Sequence, residues 1–195
     1  EKQINTLYNT FNSSIKEYDY KGTFNAVFPL KVNQLPNFIH PLINEGKKFN
    51  YGLEAGSKAE LVIAMTYNNI NSPITVNGFK DKEMIHLGFI AKSMGHDITL
   101  IIEGLNELEM IIEVLNETKM EAPSIGLRVR LHSGGSGLWA KSGGINSKFG
   151  LTSTEILEAY ELMEDNNIVK YLTMIHFHIG LAMNSIKPLK KSIKR

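Results

Sequence analysis

The sequence predicts a parallel α/β fold built from repeated strand–helix units. Three observations carry that expectation. Short β-branched, mostly apolar runs recur at Ala26–Val32, Tyr51–Ala55, Ile74–Val76, Ile98–Glu103, Ser124–Leu131 and Tyr171–Ile179. Several are apolar nearly throughout, as strands buried on both faces should be. The first five begin near residues 26, 51, 74, 98 and 124, a repeat of about 25 residues, which implies parallel strands joined by right-handed crossovers. Helical patterns with start signals fill the gaps between them.

The elements follow in order. Residues 1–17 carry Ile4, Leu7, Phe11 and Ile15 at helical spacing, and residues 1–20 are expected to form a helix leading into the fold. Ser57 precedes the helical pattern Ala59, Leu61, Val62, Ala64 and Met65. Asp81 is placed to cap the pattern starting at Met84, and Asn106 the one starting at Leu108. Thr152 or Ser153 opens the helix containing Ile156, Leu157, Tyr160 and Met163, with Glu155 spaced for a capping box. Residues 132–150, which include the single tryptophan Trp139, form a long Gly-rich connection after the fifth strand. A loop of that length in a compact domain is usually functional or disordered, and its aromatic content points to an ordered one.

A (β/α)₈ barrel and an open doubly wound sheet both fit this pattern. No Gly-x-Gly-x-x-Gly turn follows the first strand, and no phosphate-loop signature occurs, which argues against dinucleotide-binding and nucleotide-triphosphatase units. There are no cysteines, so disulfides and thiolate metal sites are excluded. No apolar run reaches membrane-spanning length and no signal peptide opens the chain, so a cytoplasmic protein without membrane partners is expected. Hydrophobic content of 43% and charged content of 21% are ordinary for a globular domain. The net charge of +1 conceals a basic tail: residues 186–195 hold five of the 21 basic residues and no acids, leaving 16 basic against 20 acidic, or −4, in the remainder. Without a basic surface to extend it, the tail reads as a solvated helix face rather than a nucleic-acid site. The first residue is Glu1, which suggests a segment of a longer protein or a processed one.

Polar residues collect at the expected C-terminal ends of the strands, where barrel enzymes build their sites. They are Lys31, Asn33, Glu54, Asn77, Glu103, Arg128, Arg130, His176 and His178. In Phe28-Pro29-Leu30-Lys31-Val32-Asn33 an apolar run leads straight into an ammonium group. A lysine there can form a Schiff base with a carbonyl cofactor, or it can pack its stem and extend its head into water. Arg128 and Arg130 are equally candidates for ion pairing with the nearby acids. His176 and His178 alternate along a strand and so share a face. They suit contact with a cofactor, or zinc binding if a third ligand joins them.

Four stretches together go further. Phe28-Pro29-Leu30-Lys31-Val32-Asn33-Gln34, Gly52-Leu53-Glu54-Ala55-Gly56-Ser57-Lys58-Ala59-Glu60, Val76-Asn77-Gly78-Phe79-Lys80-Asp81 and His176-Phe177-His178-Ile179-Gly180 resemble the biosynthetic arginine decarboxylases. These belong to the ornithine/diaminopimelate/arginine decarboxylase group with the alanine racemase-like fold. The resemblance runs from about residue 3 to the end, in the family's order. It implies a partial (β/α)₈ barrel of about six βα units, incomplete at the C-terminus, with residues 21–195 forming the part that binds pyridoxal 5′-phosphate (PLP).

The same resemblance implies that Lys31 holds PLP as an internal aldimine and that L-arginine is decarboxylated to agmatine and CO₂ for polyamine biosynthesis. It implies that His178 lies against the cofactor ring, that Arg128 and Glu54 lie near the cofactor, and that Gly180 belongs to the cofactor-binding motif. Lys148-Phe149-Gly150 matches a motif near a dimer interface, so a homo-oligomer is expected. Mg²⁺ enters as a second cofactor on the resemblance alone. One departure stands out. Leu181 and Ala182 occupy positions where the family pattern carries a serine that helps hold the cofactor and then often glutamine. The family's later phosphate loop, ring-facing carboxylate and C-terminal β-domain are not among these residues, so the segment alone is expected to be inactive. A non-catalytic barrel fragment that binds cofactor or partner, and a metal-dependent hydrolase using His176 and His178, are the competing readings.

Overall fold

The computed structural model describes residues 1–131 and 149–178. Most of the Gly-rich connection, with Trp139 and Lys148, lies outside the described residues, as do Gly180, Leu181 and the basic tail. Six strands, β1 (Val27–Pro29), β2 (Gly52–Ala55), β3 (Ile74–Val76), β4 (Ile98–Ile102), β5 (Ser124–Arg128) and β6 (Leu172–His176), form one sheet in sequential order. Every neighbouring pair is parallel. Among the described residues six α-helices accompany them: α1 (Lys2–Glu17), α2 (Pro36–Gly46), α3 (Lys58–Tyr67), α4 (Lys82–Ser93), α5 (Leu105–Thr118) and α6 (Ser153–Asp165). The strand–helix alternation expected from the sequence is present, and sequential order is that of a barrel wall rather than a doubly wound sheet.

Register separates the two faces of the sheet. Val76, Leu100 and Ile125 are aligned neighbours, and a side chain at Gly88 of α4 would run into Leu100, so this row faces the helices. Leu53, Ile74, Ile98 and Ile102 share that face and are buried. The opposite, inner face carries Glu54, Thr75, Thr99 and Ser124 in one aligned row. A second row holds Ile101, Gly126 and Met174, and a third holds Arg128 and His176. Alternation places Asn77 and Glu103 on this inner face as well. Strands β3 and β4 are buried on both faces, as their sequences suggest, whereas β1 is only partly buried and β6 exposes Ile175; the inner face is substantially polar. Gly126 fits because a Cβ there would lie 2.7 Å from the Ile101 side chain.

The helix starts have identifiable causes. Ser57 accepts a hydrogen bond from the Glu60 N–H, Asp81 accepts from Met84 N–H, and Thr152 forms a complete capping box with Glu155. Asn106 does not cap α5, because that helix begins one residue earlier, with Gly104 at the cap position and no side-chain cap. Helix α2, unmarked in the sequence analysis, carries two prolines. Pro36 falls in the first turn, where a missing N–H costs little. Helix α1 rolls slightly from its expected face: Ile4 and Tyr8 are its buried residues, and Phe11 is exposed. Tyr8 stacks on Phe49 and its hydroxyl accepts the Ala26 N–H at 3.1 Å, which anchors α1 beside the start of β1.

Candidate functional site

The C-terminal ends of the strands converge on one mouth. Lys31 lies two residues beyond β1, in a tight turn closed by Val32 N–H to the Pro29 carbonyl at 3.0 Å, and it is exposed. The turn is fixed to β2 because Leu30 N–H donates to the Glu54 carbonyl at 2.9 Å. Leu30 is fully buried. The apolar residue therefore anchors the strand exit, and the next one projects its ammonium outward. Glu54 sits half-buried on the inner face of β2.

On the far edge of the sheet, His176 ends β6 and His178 follows it. Burial, then the Arg128 guanidinium, then the Lys31 ammonium hold the His178 imidazole below its usual range. The Lys31 charge is thus felt at His178, although β1 and β6 are opposite edges of the sheet. His176 is pushed down further, to about 4, by burial first and then Arg128. Both shifts favour the neutral imidazole. The His176 Nδ1 and Asn77 Oδ1 atoms are buried with no hydrogen-bond partner among the described residues.

Arg128 is held from several sides. Its Nη1 donates to both oxygens of Glu103, at 2.9 and 3.0 Å, and its guanidinium lies 5.3 Å from the centroid of the Phe149 ring. Phe149 in turn contacts Phe79 at 4.8 Å between ring centroids. Arg128 does pair with an acid. Arg130 instead donates from Nε and Nη2 to the Gly150 carbonyl, at 3.2 and 2.8 Å. Gly150 adopts φ of +87°, a left-handed conformation suited to glycine, and its N–H donates to the Glu103 carbonyl. Asn33 is a turn residue, its Oδ1 accepting the Leu35 N–H at 3.1 Å just before α2.

Two further charged residues, not singled out by the sequence pattern, lie close to these groups. Lys80 and Glu107 have fully buried side chains and form an ion pair at 2.9 Å. Glu107 also accepts the backbone N–H of Lys80 and of Glu103, each at 2.8 Å. The Lys80 ammonium donates to the Gly78 carbonyl at 2.6 Å and to the Ile101 carbonyl. Burial lowers the Lys80 ammonium from its usual range, against the pull of Glu107. An acid in the first turn of α5, three residues after Gly104, was the available signal for Glu107.

Among the described residues no group of three or more His, Cys, Asp or Glu side chains is placed to hold a metal ion. The open cleft of about 450 Å³ lined by Leu115, Lys119, Asn167 and Tyr171 lies by the ends of α5 and α6 and contains none of the candidate residues. Among the described residues no helix is long and apolar enough to cross a membrane.

The donor set at the mouth suits a carbonyl cofactor bearing a phosphate. It offers an exposed primary amine at Lys31, a second cation at Arg128, two neutral imidazoles and unpartnered buried polar atoms. Together with the parallel wall, these features place the chain among (β/α)-barrel proteins that gather their functional groups at the C-terminal strand ends.

Comparison with known proteins narrows this. The family described as "Pyridoxal-dependent decarboxylase, pyridoxal binding domain" matches residues 2–195, and the chain belongs to that family. The biosynthetic arginine decarboxylase of Bacteroides thetaiotaomicron is 41% identical over 195 residues, covering 100% of this chain and 31% of that protein. The crystal structure of the biosynthetic arginine decarboxylase of Campylobacter jejuni superposes with a TM-score of 0.89 at 57% identity, over 98% of this chain and 30% of that one. A diaminopimelate decarboxylase from M. jannaschi shares the fold, with a TM-score of 0.71 at 24% identity over 96% of this chain and 42% of its own. The chain spans about a third of the length of the curated arginine decarboxylases it matches.

Proposed function

We propose that this chain forms the cofactor-lysine part of a PLP-dependent arginine decarboxylase, which converts L-arginine to agmatine and CO₂ in cytoplasmic polyamine biosynthesis. The observation that carries this reading is the placement of Lys31, Arg128 and His178 at or just beyond the C-terminal ends of β1, β5 and β6, in a chain 57% identical to a solved arginine decarboxylase. Residues 1–20 serve as a lead-in helix and 21–195 as the cofactor-binding part of a barrel.

Lys31 would hold PLP covalently through Nζ. His178 would lie against the ring, with Arg128 and Glu54 close by. Gly180 follows in the same motif. Bound PLP supplies the electron sink that accepts the electron pair left when the substrate carboxylate departs. The chain's own residues prepare the site for it. The turn at Leu30 presents the Lys31 amine to the mouth. Burial with Arg128 and Lys31 holds His178 below its usual range and so favours its neutral form. Glu103 restrains Arg128 at a defined position. The active protein is a homo-oligomer. Mg²⁺ rests on family resemblance alone, and the described residues offer it no site.

The test uses the full-length protein. A visible absorbance band from bound PLP, lost in Lys31→Ala, supports the cofactor role. Release of CO₂ from arginine, but not from ornithine or diaminopimelate, supports the substrate. Release from either of those two instead overturns the substrate assignment, and a normal band with no CO₂ release from any of them supports the non-catalytic alternative.

A further inference from the structure

We propose that the buried Lys80–Glu107 pair is a positioning device for the site, acting through Glu103 to fix the Arg128 guanidinium at the mouth. The inference rests on the cofactor reading above. Four charges alternate in space with no net sum: Lys80, Glu107, Glu103 and Arg128. Such a set can be buried because each charge has a partner.

The contacts run in one direction towards the mouth. The Glu107 carboxylate takes three donors, the Lys80 ammonium and the N–H groups of Lys80 and Glu103. It thereby ties the segment following β3 to the end of β4. Glu103 then has little freedom. Its N–H is held by Glu107, its carbonyl accepts the Gly150 N–H, and its Oε1 accepts the Gly78 N–H at 3.0 Å. What remains of its carboxylate is aimed at Arg128, and both bonds leave from the single nitrogen Nη1. Among the described residues Nε and Nη2 of Arg128 meet no acceptor, which leaves them for an anionic group of the ligand. Phe149 lies against the guanidinium, which limits its rotation. The same charge lowers both His176 and His178, so a displaced Arg128 would alter both histidines at once. An apolar pair could fill the same volume without a desolvation penalty. It could not anchor the amides of Lys80 and Glu103, which set where Glu103 points.

The experiment titrates PLP into full-length apoprotein well below the melting temperature, and follows the pH midpoint of the visible absorbance. Glu107→Gln leaves the Lys80 ammonium without its counter-charge. The double variant Lys80→Met/Glu107→Met removes both charges while keeping the volume, and it serves if the single variant does not fold. Both are expected to weaken PLP binding by about tenfold or more, because a small misplacement of a binding group is costly, and to move the pH midpoint. Loss of thermal stability alone does not change affinity measured on folded protein. Unchanged affinity and midpoint in either folded variant overturns the proposal, and so does failure of both to fold, which would make the pair purely structural. Lys31→Ala separates the two levels. A band that survives it defeats the cofactor reading itself, whereas a band lost in Lys31→Ala but undisturbed by the other variants defeats only the positioning role.

Discussion

Two lysines follow strands of this sheet at comparable places in their strand–helix units, and they meet opposite fates. Lys31 comes two residues after β1 and is exposed at the mouth. Lys80 comes four residues after β3 and is 3% exposed, paired with Glu107 and bonded to two carbonyls. The difference lies in the following helix and its neighbour. After β1 the chain makes a tight turn and then α2 begins with Pro36, so among the described residues nothing folds over the ammonium. After β3 the chain dips under the first turn of α5, where Glu107 waits with three acceptor contacts. Availability of an amine for chemistry is therefore set by the neighbouring unit rather than by the strand that carries it.

The sharpest way to break this comparison is to remove each lysine separately. Lys31→Ala in the full-length protein should abolish the visible cofactor band and arginine decarboxylation, while equilibrium denaturation of the apoprotein stays close to wild type. Lys80→Ala should act on the fold itself, in addition to weakening cofactor binding. It leaves Glu107 as a buried carboxylate without its cation, at a cost of about 3 to 5 kcal/mol, readable as a lower denaturation midpoint. If Lys31→Ala destabilised the apoprotein as much as Lys80→Ala, the division into an exposed, available lysine and a buried, paired one would fail.

Much of the fold was legible because parallel strands buried on both faces announce themselves as apolar runs. All six were visible, and Ser57, Asp81 and Thr152 signalled three helix starts by side-chain chemistry. Helix α2 was hidden by Pro36 and Pro41, which read as breakers when one of them is a first-turn residue. Asn106 misled because a good capping residue stood two positions after Gly104, where the helix had already begun. Lys31, Glu54, Arg128 and His178 could be singled out by their places at or just beyond strand ends. Lys80 could not, and Glu107 was marked only as a first-turn acid. Each sits among residues that look solvated, beside Asp81 in one case and Asn106 in the other, and only the tertiary fold shows that a β3–α4 connection and an α5 first turn bury one another.

The mouth should also be more sensitive to acid than the rest of the sheet. His176 is held at about 4, below the usual 6.5. A depressed value means that the stabilisation is fully present above about pH 6.5 and is lost as pH falls through about 4. The groups facing His176 are Arg128, His178 and Lys80, which oppose its protonation, and Glu103, which favours it. His178 is shifted in the same direction. The melting temperature should therefore fall as pH drops from about 6.5 towards 4, and His176→Gln should flatten that slope. An unchanged slope in His176→Gln would show that the acid response arises away from the mouth.

A third lysine gives the smallest expected effect and completes the series. Lys58 at the start of α3 bonds Asp81 at 2.8 Å and Glu83 at 2.6 Å, both in the first turn of α4 or at its cap. Those distances are as short as that between Lys80 and Glu107. Its side chain, however, is 43% exposed, and its partners are 60% and 81% exposed. Water and salt screen such pairs, and holding long side chains in one geometry costs entropy, so exposed ion pairs contribute little. Lys58→Ala should leave the denaturation midpoint nearly unchanged, and added salt should erase what difference remains. The Lys80 effect should persist in the same salt, because its pair is shielded from the solvent that carries the ions. A Lys58→Ala loss comparable to that of Lys80→Ala would mean that contact distance, rather than burial, decides what a lysine does in this fold.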